Sequence, residues 1–338
     1  MRFAIIGCGV IAVTHAAALA TLPQQTLYAV CDVDREKADR FAREHGVSKV
    51  YYDYRDVLAD PAVEAVCVCT PSDLHGEMTV AAARAGKAVV CEKPMEVTLE
   101  KAQEIVRVTQ QTGAKVQCIF QRRVLPRAQA ARRAIAQGAL GRICLAEANL
   151  LYYRDQAYYD SAGWRNRCGG AMLNQGVHGI DLILWMLGEP VKTVYGCAGT
   201  LARRTGVDDT AAAVLTMASG AVCVIKNTTL AYPEFPTGFV IHGEKGTIAF
   251  DDLGVREWTF LDPASAPPRP EESPEFSQKA PISLKPYYGN MHAYLLQDLA
   301  DAVAEDREPM IPPREAITAV RAICGITRSA ALGRAVEF

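Results

Sequence analysis

The chain has 338 residues, half of them hydrophobic, with 36 Lys+Arg against 38 Asp+Glu. That is enough for about two domains with sizeable cores. A net charge of −2 with the two signs interspersed argues against the basic stripe of a nucleic-acid binder and against a polybasic membrane anchor.

The first elements alternate. Phe3 to Ile6 reads as a buried strand, and Val10 to Leu19 as a helix. Thr26 to Cys31 is a second strand, ending at Asp32. Val63 to Cys69 is a strand ending in Thr70-Pro71; Asp73 to Ala85 is helical and stopped by Gly86. Ala88 to Cys91 is a strand ending in Glu92-Lys93-Pro94, and Leu99 to Thr112 is a helix closed by Gly113. Lys115 to Phe120 is a further strand. This alternation predicts a doubly wound parallel sheet over residues 1–120.

Beyond it, residues 121–338 form a second α/β domain with a largely antiparallel open sheet. A helix over Pro126–Gln137 precedes strands at Ile143–Tyr153, Val191–Thr200, Thr210–Met217, Ala221–Thr229, Phe239–His242 and Thr247–Phe250. A helix over Leu173–Leu187 interrupts them. Residues 262–286, rich in Pro, Ser and Glu, predict an irregular excursion. Helices over Met291–Glu305 and Arg314–Leu332 close the chain, and the terminal helices have the option of packing back on the first domain. No run approaches the ~18 uninterrupted apolar residues of a membrane span. The 11 cysteines are an odd number with no C-x-x-C pair, which reads as reduced thiols in a cytoplasmic protein.

The first turn carries the strongest signal. Gly7-x-Gly9-x-x-Ala12 follows a strand and opens a helix. Gly7 supplies the tight turn, Gly9 lets a pyrophosphate approach the backbone, and Ala12 lets helix and strand pack closely. Phosphates would sit on the free N–H groups at Val10 and Ile11. Asp32 lies where a carboxylate that binds the adenosine ribose belongs. It favours NAD, because a carboxylate repels the 2′-phosphate of NADP. Gly7, Asp32, Thr70 and Glu92-Lys93 all fall at strand carboxyl ends, where ligands bind in such sheets.

Lys93 in that crevice can bond a substrate hydroxyl or move its proton; the alternative is an ordinary surface lysine. Asn174, His178 and Asp181 are spaced i, i+4, i+7, one face of a helix. His178 suits proton transfer near neutral pH, or is a structural core histidine. Tyr152, Arg154, Tyr158, Trp164 and Arg165 form an aromatic and basic cluster that suits a sugar or nucleotide-sugar, or a loop packing its own side chains. One histidine with one carboxylate is too thin a set for a metal, and no serine sits in a nucleophile elbow.

With Thr70-Pro71 and His75, Glu92-Lys93-Pro94, and Gly169-Gly170 leading to His178-Gly-Ile-Asp181, the chain resembles the glucose–fructose oxidoreductase / inositol dehydrogenase / rhizopine-catabolism (Gfo/Idh/MocA) family over nearly its whole length. The resemblance implies hydride transfer between a sugar-like carbon and NAD or, less favoured, NADP. It implies that Lys93 contacts the reacting hydroxyl and that His178 acts as acid or base, with Asn174 where inositol dehydrogenases carry an aspartate. It adds Thr70, Pro71, His75, Glu92 and Gln121 to the cofactor side. Gln121-Arg-Arg123, Asn174-Gln175 and the Tyr158-to-Arg165 run look like a subgroup that oxidises nucleotide-sugars. The connection from Arg165 to Gly169 is shorter here, so the sugar class carries over and the individual sugar does not. The family's open sheet often makes the oligomer interface, implying a homodimer or homotetramer. Two other readings remain: an NAD-dependent glycosidase or lyase working through transient oxidation of sugar C3, and a non-catalytic dinucleotide sensor.

Overall fold

The computed structural model describes residues 1–264, 266–271 and 286–338. Two compact units emerge: Met1–Gln121 with Ile282–Ile317, and Arg122–Pro281 with Thr318–Phe338.

In the first unit, β1 (Arg2–Ile6), β2 (Thr26–Cys31), β3 (Lys49–Tyr51), β4 (Ala65–Val68), β5 (Ala88–Cys91) and β6 (Val116–Cys118) form one parallel sheet. Its order is β3-β2-β1-β4-β5-β6. Strands β4 and β5 are buried at every residue, and β1 at all but its first, as expected when helices cover both faces of a parallel sheet. That is why these strands read as continuous apolar runs rather than alternating ones. The helix Val10–Ala20 packs against Pro286–Ala304, and His75–Arg84 against Leu99–Thr112. Leu99–Thr112 is bounded by the Thr98 hydroxyl, which accepts from the Lys101 N–H, and by Gly113 in the left-handed conformation.

In the second unit, β7 (Ile143–Leu151), β8 (Val191–Gly199), β9 (Thr210–Met217), β10 (Val222–Thr228), β11 (Gly238–Gly243), β12 (Gly246–Asp251), β13 (Gly254–Phe260) and β14 (Val336–Glu337) run in the order β13-β12-β11-β7-β10-β9-β8-β14. Only β7 and β10 pair in parallel; every other neighbour pair is antiparallel. Burial alternates along β9 and β10, so one face is covered and the other open. The helices Pro126–Ala136 and Val177–Leu187 pack together, and the second lies on β7.

Two expectations need correction. The helix expected over Leu173–Leu187 is instead a π-helical turn, Ala171–Gly176, running into the α-helix Val177–Leu187. Asn174 therefore lies in the π-turn, outside the α-helix that carries His178 and Asp181. Close contact accompanies it: a Cβ on Gly176 would lie 2.5 Å from Asn227 Nδ2, and one on Gly179 2.1 Å from Leu150 Cδ2. The second concerns edge strands: β3, β13 and β14 all stand at sheet edges and none of them is among the strands expected above. Most of the excursion expected over residues 262–286 lies outside the described residues.

Candidate functional site

The strand order sets the carboxyl ends of β2, β1, β4 and β5 side by side, so Asp32, Gly7, Thr70 and Lys93 line one rim of the first unit. Gly7 has φ +95°, and a Cβ there would stand 2.8 Å from the backbone carbonyl of Cys69. The turn is therefore pressed onto the end of β4. Gly9 is different. A Cβ there would meet nothing within 4 Å, so the space over the helix start is open. Gly9 precedes Val10–Ala20 with no side-chain cap and no acid in the first turn. Unsatisfied N–H groups facing open space at a helix N-terminus fit a pyrophosphate.

Asp32 is 9% exposed. Its carboxylate accepts from Cys8 N at 2.9 Å and Asp34 N at 3.0 Å, and pairs with Lys37 Nζ at 3.0 Å. The carboxylate is thus fixed over the glycine turn, where ribose hydroxyls would reach it. Thr70 Oγ1 and Gln121 Oε1 are buried without a hydrogen-bond partner among the described residues. Such orphaned polar atoms are expected where a polar ligand completes the site.

Glu92 and His75, expected on the cofactor side, are interior residues instead. Glu92 is 3% exposed, and its Oε1 takes His15 Nε2 at 2.8 Å and His292 Nε2 at 3.2 Å. Its Oε2 accepts from the Lys93 N–H at 3.0 Å. Burial pushes the Glu92 carboxyl upward, but the two imidazole hydrogen bonds overcome it and hold the group well below the ordinary carboxylate range. Burial lowers His15 despite Glu92. A neutral His15 then donates through Nε2, which agrees with its Nδ1 being buried without a partner. The three ligand atoms lie within 4.8 Å of one another, a donor set open to a metal; the hydrogen bonds explain their arrangement without one. His75 spans Pro94 O at 2.7 Å and Thr70 O at 2.9 Å, tying the end of β4 to the Glu-Lys-Pro turn. Nothing in the sequence marks His15 or His292 as partners of Glu92: they lie 77 and 200 residues away.

In the second unit, Tyr158 is the hub. Its hydroxyl accepts from Asn174 Nδ2 and, at 3.0 Å, from Gln175 Nε2. Arg154 donates to Gln175 Oε1 at 3.0 Å and pairs with Glu234 at 2.8 Å. The Arg165 guanidinium lies 4.5 Å from the Tyr158 ring centroid and 5.1 Å from that of Trp164. His178 is half-buried, two residues beyond the end of the π-turn.

Asp181 and Tyr152 are both buried and hydrogen-bonded within this unit. Asp181 is 2% exposed, and Arg123 grips both its oxygens at 2.7 and 2.8 Å; it anchors the His178 helix from beneath. Tyr152 is buried with its hydroxyl 3.1 Å from Thr237 Oγ1. A residue that sequence reading missed is Asp208. Its backbone carbonyl accepts from Ala171 N at 2.8 Å and its Oδ2 from Met172 N at 3.0 Å, which pins the start of the π-turn.

Residues 1–120 match a profile described as an oxidoreductase family with an NAD-binding Rossmann fold, and residues 128–249 the GFO/IDH/MocA C-terminal domain. The inositol 2-dehydrogenase of Rhizobium meliloti is 30% identical over 256 residues, 75% of this chain and 76% of the relative. The crystal structure of the WlbA dehydrogenase from Bordetella pertussis, in complex with NADH and UDP-GlcNAcA, superposes with a TM-score of 0.89 at 31% identity, covering 100% of this chain and 97% of that one. A levoglucosan dehydrogenase complexed with NADH shares the fold at TM-score 0.84 and 24% identity, covering 100% of this chain and 98% of that one.

Proposed function

Because the chain belongs to the Gfo/Idh/MocA oxidoreductase family, we propose that it oxidises a carbinol of a sugar-like substrate, or reduces the matching ketone, with Lys93 and His178 handling the proton. It is an NAD-binding oxidoreductase. The observation that carries the assignment to Lys93 is the buried His15–Glu92–His292 cluster, which holds the Lys93 backbone at the end of β5. Such buried support is what a precisely placed reactive side chain needs.

NAD, when bound, accepts the hydride. The helix start at Gly9 and Val10 takes the pyrophosphate, and Asp32 accepts from the ribose hydroxyls. Lys93 bonds the reacting hydroxyl and lowers the cost of removing its proton. His178 is the second proton-handling group. Asn174 stays neutral; held by Tyr158, it orients the substrate or the imidazole. Asp181 and Arg123 position the His178 helix. Relatives named for inositol and for a nucleotide-sugar acid support a polyhydroxylated substrate.

Two further assignments belong to this reading. The open face of the eight-stranded sheet, with Tyr195 and Val214 each about half exposed, pairs with a second copy of the chain, which light scattering in solution tests. The location is cytoplasmic, matching 11 unbridged cysteines. Among the described residues no helix is long and apolar enough to cross a membrane.

The deciding experiment follows nicotinamide absorbance in a single turnover, over free sugars, inositols, glycosides and nucleotide-sugars, with Lys93→Ala and His178→Ala alongside. A redox change with one substrate class that both variants abolish supports the proposal. NAD binding without any redox change across the panel overturns it.

A further inference from the structure

We propose that Arg165 is an anion receptor, so that the substrate of this enzyme carries a carboxylate or a phosphate. The inference rests on the reading above, in which Asn174 and His178 take the substrate.

The starting point is the pairing of arginines in the second unit. Arg122 is paired with Asp252, Arg123 with Asp181, and Arg154 with Glu234. Arg165 has no carboxylate among its partners in the described residues. Its NH1 bonds the Ser161 hydroxyl, its plane lies by the rings of Tyr158 and Trp164, and its Nε is buried with no acceptor. The acids in the same loop are turned elsewhere: Asp155 caps the Tyr158 N–H, and Asp160 accepts from Gln156. A second cation stands nearby in the chain of contacts. The Arg203 guanidinium donates to the Arg154 carbonyl at 2.8 Å and lies 5.4 Å from the Tyr153 ring centroid, with no acid paired to it among the described residues.

A guanidinium stacked on aromatic rings is held flat and keeps its charge at every working pH. Its remaining N–H groups form a fork that matches a carboxylate or phosphate and has no equal fit to a neutral hydroxyl. The fork is also correctly placed within this unit. Arg165 rests on the Tyr158 ring, and the Tyr158 hydroxyl holds Asn174 and Gln175, so only one side chain separates the unpaired cation from the polar groups of the π-turn.

The test measures binding, by calorimetry on the full chain with NAD saturating, so that anions do not report on the helix start at Gly9. Glucuronate is compared with methyl glucoside, and UDP with uridine, at low and raised salt. The expected result is a preference for at least one anion over its neutral partner that fades with salt. Arg165→Gln weakens that anion about 30-fold or more, as for truncating one partner of a charge-assisted pair. Arg165→Lys, which keeps charge and loses the fork, retains part of the preference and guards against a merely misfolded loop. Arg256→Gln, on edge strand β13, retains all of it. A preference for glucuronate identifies a sugar acid; one for UDP identifies a phosphate ester. If neither anion outbinds its neutral partner, or Arg165→Gln keeps the preference, the proposal is wrong. Anion binding at Arg165 with no NAD reduction by any sugar would instead sink the proposed oxidoreduction of sugars alone.

Discussion

Glu92→Gln is the most informative single change, because it keeps shape and removes charge. Three donors converge on the two carboxylate oxygens: His15 Nε2, His292 Nε2 and the Lys93 N–H. Glutamine offers one oxygen and one NH2, so at least one donor must face a donor. With its oxygen toward the histidines, the amide opposes the Lys93 N–H. With its oxygen toward Lys93, the amide opposes both imidazoles, and a His15 tautomer switch would put a proton on a buried Nδ1 that has no acceptor. The first arrangement is the cheaper one. It loses one hydrogen bond to a charged acceptor and leaves a buried donor unsatisfied, together about 2–4 kcal/mol.

Removing a buried charge also relieves desolvation, which works the other way. The direction of the Glu92 shift decides between them: the carboxyl is held well below its ordinary range despite burial, so the surroundings favour the ion by more than burial penalises it. Glu92→Gln therefore destabilises, lowering the melting temperature by about 5–10 °C for a domain of this size. Linkage supplies a signature. A depressed carboxylate pKa stabilises the fold above the unfolded value of 4.5 and loses that contribution as pH falls toward the folded value. His15, lowered from 6.5, stays neutral in the fold while the unfolded chain takes up a proton, so its burden begins as pH drops below 6.5. Wild-type stability thus falls in two stages on acidification, and Glu92→Gln lacks the second. Urea melts across pH read both. A variant within about 0.5 kcal/mol of wild type at neutral pH would refute the reasoning.

The two glycines of the first turn should separate cleanly. Gly7→Ala puts a Cβ 2.8 Å from the Cys69 backbone at φ +95°, costing at least about 1–3 kcal/mol from backbone strain alone; thermal melting checks it. Gly9→Ala meets nothing within 4 Å, so stability changes by less than about 0.5 kcal/mol. NAD binding, read by fluorescence titration, weakens instead, because the methyl fills the space above the helix start. Asp32→Ala removes a charged acceptor for the ribose and weakens NAD by about 10–100-fold. The preference for NAD over NADP should fall with it; an unchanged ratio of the two dissociation constants would remove Asp32 from that role. Gly170→Ala places a Cβ 2.2 Å from Asp208 Oδ1 and displaces the carboxylate that pins the π-turn. The expected outcome is a lowered kcat with NAD affinity kept.

The boundary between what was legible in the chain and what was not follows contact range. Strands β1, β4 and β5 are buried on both faces, so their apolar runs announce themselves, and Leu99–Thr112 is bracketed by its own Thr98 cap and Gly113 stop. The glycine turn is equally local: the reason for Gly7 lies in its φ, although its pressure on Cys69 does not show in the spacing. The π-turn is illegible in the sequence for the opposite reason. Asn174, His178 and Asp181 fit an α-helical stripe, but the π-turn is set by tertiary contacts, Asp208 at its start and Asn227 against Gly176, that no periodicity records. The pairing of Asp181 with Arg123, 58 residues away, and of Glu92 with His292, 200 away, is likewise invisible to spacing. Acids in a cofactor or catalytic motif are therefore ambiguous from sequence. Glu92 and Asp181 sit in the motif and face inward to hold Lys93 and the His178 helix, while Asp32, reached through a backbone turn, is fixed over the glycine loop. The number of donors does not separate the two kinds, since Asp32 takes three as Glu92 does; depth of burial does, Asp32 being 9% exposed against 3% and 2% for Glu92 and Asp181, and that depth depends on residues distant in the chain.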